Sequence, residues 1–172
     1  MHSSREWVMP LVAFSPCGNY RYVLRRRFLQ GRGTVNFLML NPSTAGETLN
    51  DPTVRRCTQF AQDWGYQELL VTNLFAYRAT DPRELTRISD ATGPLNDQEM
   101  VSAARDSDMV VAAWGVHGTL RERARDVRSI LKPYRLHHLG LTKDGHPRHP
   151  LYLRANLRPT MWDETTCYLH CA

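Results

Sequence analysis

Apolar residues along this chain gather in short runs, each closed by an Asn, Gly or Pro step, and polar stretches with helical spacing separate the runs. The run over 35–40 stops at Asn41-Pro42-Ser43 and reads as a buried strand feeding a loop. Residues 68–73, centred on Leu69, Leu70 and Val71, give a second such strand, ending at Asn73. Residues 109–114 and 135–139 give two more, ending before Gly115 and Gly140. Upstream, the stretch 13–28 reads as a strand, a Gly18-Asn19 turn and a second strand through 20–24, a β-hairpin at the edge of the main sheet.

Helical spacing fills the intervals. Val54, Cys57, Phe60, Ala61 and Trp64 recur at three and four, which predicts one apolar helix face; Asp51 or Thr53 caps it, Pro52 sits in its first turn and Gly65 ends it. Asn96-Asp97 predicts a cap for a helix through 104, residues 120–131 a charged amphipathic helix, and residues 151–156 the start of a last one. The stretch 79–94, with Pro82, Gly93 and Pro94, predicts a loop with a short helical turn at most. Strand and helix therefore alternate. The expected fold is α/β: a three-layer α/β/α domain over 1–172, with a central, mainly parallel four-stranded sheet plus the N-terminal hairpin. Ligands of such sheets bind beyond the carboxyl ends of the strands, which here carry Asn41, Asn73, Gly115 and Gly140.

Composition adjusts this picture only slightly. The 172 residues suit one core, and 42% hydrophobic with 23% charged residues is near a globular average. No apolar run is long enough to cross a bilayer, and the early charge at the N-terminus does not read as a secretory signal, so a cytoplasmic protein without membrane contact is expected. The net charge of +5 suits a polyanionic partner, although all basic residues but Lys132 and Lys143 are Arg, a skew that genome composition also produces. Cys167 and Cys171 form a CxxxC step with no second close pair, and Cys17 and Cys57 stand apart; reduced thiols and no metal or other cofactor are expected.

Four segments offer chemistry. In Asn41-Pro42-Ser43-Thr44-Ala45-Gly46 an amide and two hydroxyls leave a buried strand; they suit holding a water or a phosphate, and equally an ordinary Asx or Ser turn. Arg55 and Arg56 follow, either as phosphate ligands or as surface charge. In the 72–78 segment Asn73 can read a base edge, Phe75 can stack and Arg78 adds charge; the alternative is Asn73 bridging backbone with Phe75 in the core. The 142–152 loop carries His146, Arg148, His149 and Tyr152 around two His-Pro steps, a density that packing alone does not explain. His146 and His149 could ligate zinc, but nothing nearby completes a set.

These motifs, in this order, resemble a bacterial and phage family known as domain of unknown function 1643. The resemblance rests on Arg21-Tyr22-x-Leu24-x-Arg26, Leu40-Asn41-Pro42-Ser43-Thr44-Ala45, Asp51-Pro52-Thr53, Asn73-Leu74-Phe75, Ala113-Trp114-Gly115 and His149-Pro150-Leu151-Tyr152. The layout is also similar, more distantly, to the uracil-DNA glycosylase superfamily. That resemblance implies a water-holding first loop at Asn41-Pro42, a base-reading Asn73 and a leaving-group His149 in a late loop. An Asn in place of an Asp in the first loop implies that the water is oriented rather than deprotonated there.

The function expected on this reading is N-glycosidic hydrolysis of a base in nucleic acid, DNA before RNA, or in a nucleotide. Asn41 and His149 are the catalytic pair. Pro42, Ser43, Thr44 and Asn73 hold the substrate, Phe60 or Phe75 stacks, and Arg55, Arg56, Arg78, His146, Arg148 and Tyr152 complete the contacts. A non-catalytic reader of a modified base, and a hydrolase of free nucleosides or nucleotides, are the alternatives. A protein partner meeting Trp7 or Trp162 also stays open.

Overall fold

The computed structural model describes residues 11–43 and 51–163. Strands β1 (Leu11–Phe14), β2 (Arg21–Arg27), β3 (Thr34–Met39), β4 (Glu68–Asn73), β5 (Met109–Ala112), β6 (Leu136–His138) and β7 (Thr160–Met161) form one sheet in the order β1-β2-β4-β3-β5-β6-β7. Three pairings are parallel: β3 with β4, β3 with β5, and β5 with β6. The β1–β2, β2–β4 and β6–β7 pairings are antiparallel. The domain is therefore α/β as expected, but its sheet is seven-stranded and mixed rather than four-stranded and mainly parallel. The hairpin lies at the edge of the main sheet as expected, where β2 pairs directly with β4 and extends the ladder. The short β7, which carries no apolar run, closes the other edge.

Side-chain alternation along β3 builds two cores. Val35, Phe37 and Met39 enter one with Leu69 and Val71 of β4, while Leu38 enters the other with Val110 and Ala112 of β5. Helix α1 (Pro52–Asp63) covers the first face through Val54, Cys57, Phe60 and Ala61. Phe37, Phe60 and Trp64 cluster there with ring centroids 5.2–6.4 Å apart. Helices α2 (Asn96–Arg105) and α3 (Arg123–Ile130) cover the second face through Met100, Ala104 and Val127.

Two helix expectations fail for identifiable reasons. The pattern over 120–131 forms a 3-10 stretch (Val116–Glu122) and only then α3, because Arg121 and Glu122 both take positive φ. The Arg121 guanidinium holds that turn by donating to the carbonyls of Leu85 and Ile88 at 3.2 and 2.8 Å. Among the described residues after His149, the expected helix over 151–156 is replaced by a 3-10 turn, Pro150–Tyr152. The chain instead runs on over α1, where the Trp64 indole N–H donates to the Leu157 carbonyl at 3.0 Å. Among the described residues no helix is long and apolar enough to cross a membrane.

Candidate functional site

The parallel ladder continues past the formal ends of its strands, and this continuation builds the site. Leu74 N–H donates to the Met39 carbonyl and Phe75 N–H to the Leu40 carbonyl, each at 2.9 Å, while Ala113 N–H donates to the Leu38 carbonyl at 2.8 Å. Asn41, Asn73 and Gly115 are thereby held side by side at the ends of β3, β4 and β5. Gly115 N–H then donates to the Pro147 carbonyl at 2.9 Å and Arg148 N–H to the Gly140 carbonyl at 3.0 Å, which ties the late loop to the same edge. Gly115 has φ +73°, a backbone that a side chain there would strain.

The result is a cleft of about 330 Å³ lined by Arg21, Asn41, Ser43, Asp51, Thr53, Asn73, Trp114, His117 and His149, among others. That volume lies at the small end of ligand pockets, roughly 300–1,000 Å³. Met39 and Val71 belong to the α1 face of the sheet, so the cleft opens between that face and the first turn of α1.

Each polar lining group has a definite state. The Asn41 amide nitrogen donates to the carbonyls of Ala79 at 2.7 Å and Pro42 at 3.1 Å, which turns its side-chain oxygen into the group left for a ligand. Ala79 N–H returns a bond to the Pro42 carbonyl at 3.0 Å, locking the first loop to the segment after β4. Asn73 is buried, and its side-chain nitrogen has no partner. Its backbone carbonyl accepts from the Asn96 amide at 2.9 Å, so α2 fixes the position of this residue. Asp51 caps α1 by accepting from Val54 N–H at 2.8 Å and accepts from the Ser43 hydroxyl at 2.8 Å with its other oxygen.

His149 starts the Pro150–Tyr152 turn, and its Nδ1 accepts from Leu151 N–H at 3.3 Å. The ring proton therefore resides on Nε2, as a donor. Burial holds the imidazole below its ordinary value of 6.5, with the nearby Asp51 charge pulling the other way, so the ring is neutral at pH 7. Arg21 opens β2 and is 5% exposed. Burial pulls its guanidinium down to about 10, against the opposing field of Asp51.

The structure thus brings Asn41, Ser43, Asn73 and His149 to one cleft, with Pro42 buried beneath its first loop. Thr44 lies outside the described residues, as do Trp7, Cys167 and Cys171. The other expected contacts do not reach the cleft. Phe60 and Phe75 are buried in the two cores because they continue the apolar faces of their elements. Arg56 donates to the Leu153 carbonyl and lies 4.7 Å over the Phe60 ring, and Arg55 is exposed outside the lining. Arg78 donates to the Gly18 carbonyl at 3.1 Å and covers Phe14, so it anchors the hairpin turn. Arg148 is exposed, Tyr152 is 90% exposed, and neither lines the cleft.

His146 belongs to a second, wider depression of about 770 Å³, lined also by Arg125, Arg128, Lys132 and Trp162. Among the described residues no group of three or more His, Cys, Asp or Glu side chains converges as a metal site. Sequence reasoning overlooked Arg21, Asp51 and Trp114. Asp51 was legible only as a cap, and the aromatic wall of the cleft is Trp114 rather than a phenylalanine.

The profile of the family described as "Protein of unknown function (DUF1643)" matches residues 21–151. The chain belongs to the DUF1643 family. The DUF1643 match begins at Arg21 and takes in Asn41, Asp51, Asn73, Trp114 and His149, so all the named cleft residues fall within it. No curated protein and no solved structure shows significant similarity to the chain, and the comparisons lend no support to a uracil-DNA glycosylase relationship.

Proposed function

We propose that the cleft is an N-glycosidic hydrolase site for a base carried by DNA or by a nucleotide. The observation that carries this reading is the convergence of Asn41, Asn73 and His149 on one small cleft, with the Asn73 side-chain nitrogen buried and unpartnered. An unfilled amide donor in a buried setting is a demand for an acceptor, and a base edge supplies one. The Asn41 side-chain oxygen holds the water. The bond from the anomeric carbon to the base breaks with its electron pair leaving on the base, and the His149 Nε2–H donates to the atom where that charge develops. The water oxygen bonds to the anomeric carbon in place of the base, and Asp51, the carboxylate of the cleft among the described residues, takes the proton the water gives up. Trp114 supplies the aromatic wall. A base within a duplex must first leave the stack to reach a cleft of this size.

A second reading, a non-catalytic reader of a modified base, draws support from one feature. Both Asp51 oxygens are already engaged, one by Val54 N–H and one by the Ser43 hydroxyl, so each would receive a water proton beside an existing hydrogen bond. One experiment separates the two. The full chain is incubated with oligonucleotides and nucleotides of varied base, and free base is sought by mass spectrometry. Release that is lost in His149→Ala supports hydrolysis; tight binding with no released base supports the reader; neither binding nor release removes both.

A further inference from the structure

Arg21 and Arg123 are both buried arginines, at 5% and 6% exposure. Arg123 is satisfied: its Nε donates to the Leu74 carbonyl at 2.8 Å and its terminal nitrogen to Asp97. Arg21 is not. Its Nε is buried without a partner, and no carboxylate among the described residues forms an ion pair with it. With the residue only 5% exposed, the sole opening its guanidinium has is the cleft it lines. The residue lines the cleft that also holds the unpartnered Asn73 nitrogen. A buried cation calls for a counter-charge in contact with it; Asp51 reaches Arg21 only through its field, and the space beside the unpartnered Nε is a ligand cleft.

We propose that Arg21 is the anion-binding residue of this cleft and receives an oxyanion of the substrate, a phosphate or a carboxylate. The planar guanidinium offers parallel N–H donors that match either group. The Asn73 side-chain nitrogen provides a neutral donor in the same lining, while Asp51 repels negative charge and so directs the uncharged part of the ligand toward itself and Ser43. The proposal rests on the reading of the cleft as a ligand site, but not on bond cleavage. It narrows the substrate to one that carries its anion into the cleft, as a nucleotide or a strand with an ordered phosphate does and a free nucleoside does not.

The test uses the full chain and four probes: inorganic phosphate, acetate, a nucleoside 5′-monophosphate and the matching nucleoside. The Arg21 Nε–H resonance is followed by NMR during each titration, and affinities are measured by calorimetry for wild type, Arg21→Gln and His149→Ala. We expect saturable movement of the Arg21 signal with phosphate or acetate, the stronger of the two identifying the anion. We also expect at least tenfold tighter binding of the monophosphate than the nucleoside if phosphate is that anion, and at least tenfold loss of anion binding in Arg21→Gln with retention in His149→Ala. An Arg21 signal unmoved by every anion overturns the proposal, and so does an Arg21→Gln chain that binds them as wild type does. If Arg21→Gln does not fold, the wild-type resonance alone decides. Anion binding without base release leaves the anion site standing and removes the hydrolase reading; base release without any anion effect does the reverse.

Discussion

Two sides of the Asn73–Leu74 step handle buried polar groups in opposite ways. On the α2–α3 side, Asn96 donates to the carbonyls of Asn73 and Leu74 at 2.9 and 3.1 Å, and Arg123 donates to Leu74 as well. Those donors are matched to backbone, and they act as fixtures. On the α1 side, the Arg21 Nε and the Asn73 side-chain nitrogen are buried with no partner. The same residue, Asn73, therefore has a carbonyl that belongs to the scaffold and an amide that belongs to the cleft. The Arg21 and Asn73 donors are therefore free for a ligand while the Asn96 and Arg123 donors are spent on backbone, and substitutions of the two arginines are expected to separate accordingly.

The largest effect concerns the cleft side. His149→Ala is expected to lower the rate of base release by about 10²–10³, the cost of losing one donor aimed at developing charge, with little change in Tm. Rate assays and thermal denaturation on the same preparation check both halves. The scaffold side gives the next largest effect. Arg123→Met removes one of the two donors to the Leu74 carbonyl and the partner of Asp97, and is expected to destabilise the fold by about 1–3 kcal/mol, read from urea denaturation. Asp51→Ala removes the α1 cap and is expected to cost about 1 kcal/mol, while also changing the cleft. Arg21→Met is the sharpest contrast with Arg123→Met: removing an unpaired buried charge is expected to leave stability unchanged or raised while abolishing anion binding. Equal destabilisation by the two methionine substitutions would break the comparison.

The smallest effect is in pH. Burial depresses the His149 pKa in the folded chain, so folding favours the neutral ring. The associated stability is fully present above the unfolded value of about 6.5 and is lost as pH falls through the lower folded value. Protonation also replaces the Nδ1 lone pair that accepts from Leu151 N–H. An NMR titration is expected to show a midpoint below 6.5 and, above it, a proton on Nε2. A midpoint above 6.5 contradicts the assignment.

Much of the architecture was legible because it follows from periodicity. The apolar centre Leu69–Leu70–Val71 placed β4 at its observed bounds, and the three-and-four spacing of Val54, Cys57 and Phe60 placed α1 after a cap at Asp51 or Thr53, of which the structure uses Asp51. What periodicity does not contain is how distant segments answer one another. The positive φ of Arg121, which breaks the helix expected over 120–131, depends on carbonyls more than thirty residues earlier in the chain. For Phe60 and Phe75 the sequence offers both stacking on a base and burial in the core, and burial is what the structure shows.

The site was legible in part for the same reason. Asn41 and Asn73 are polar residues at the ends of buried strands, and His149 sits in a loop too rich in charge to be packing. Arg21 carries no local signal. It is one arginine on a strand that also holds Arg25, Arg26 and Arg27, and only the tertiary fold, in which its backbone N–H donates to the Ala76 carbonyl at 2.9 Å, shows that it meets the cleft while Arg27 faces solvent.

Trp114 has one further consequence. Its indole is 2% exposed, its N–H has no partner, and it lines both the cleft and the wider depression beyond it. The ring is a partition shared by two compartments, with Trp162 5.6 Å away on one side only. An occupant of either compartment alters the polarity at that partition, so the chain carries a built-in optical gauge. Quenching by a ligand in the cleft should survive Trp162→Phe, whereas a signal originating beyond the wall should not.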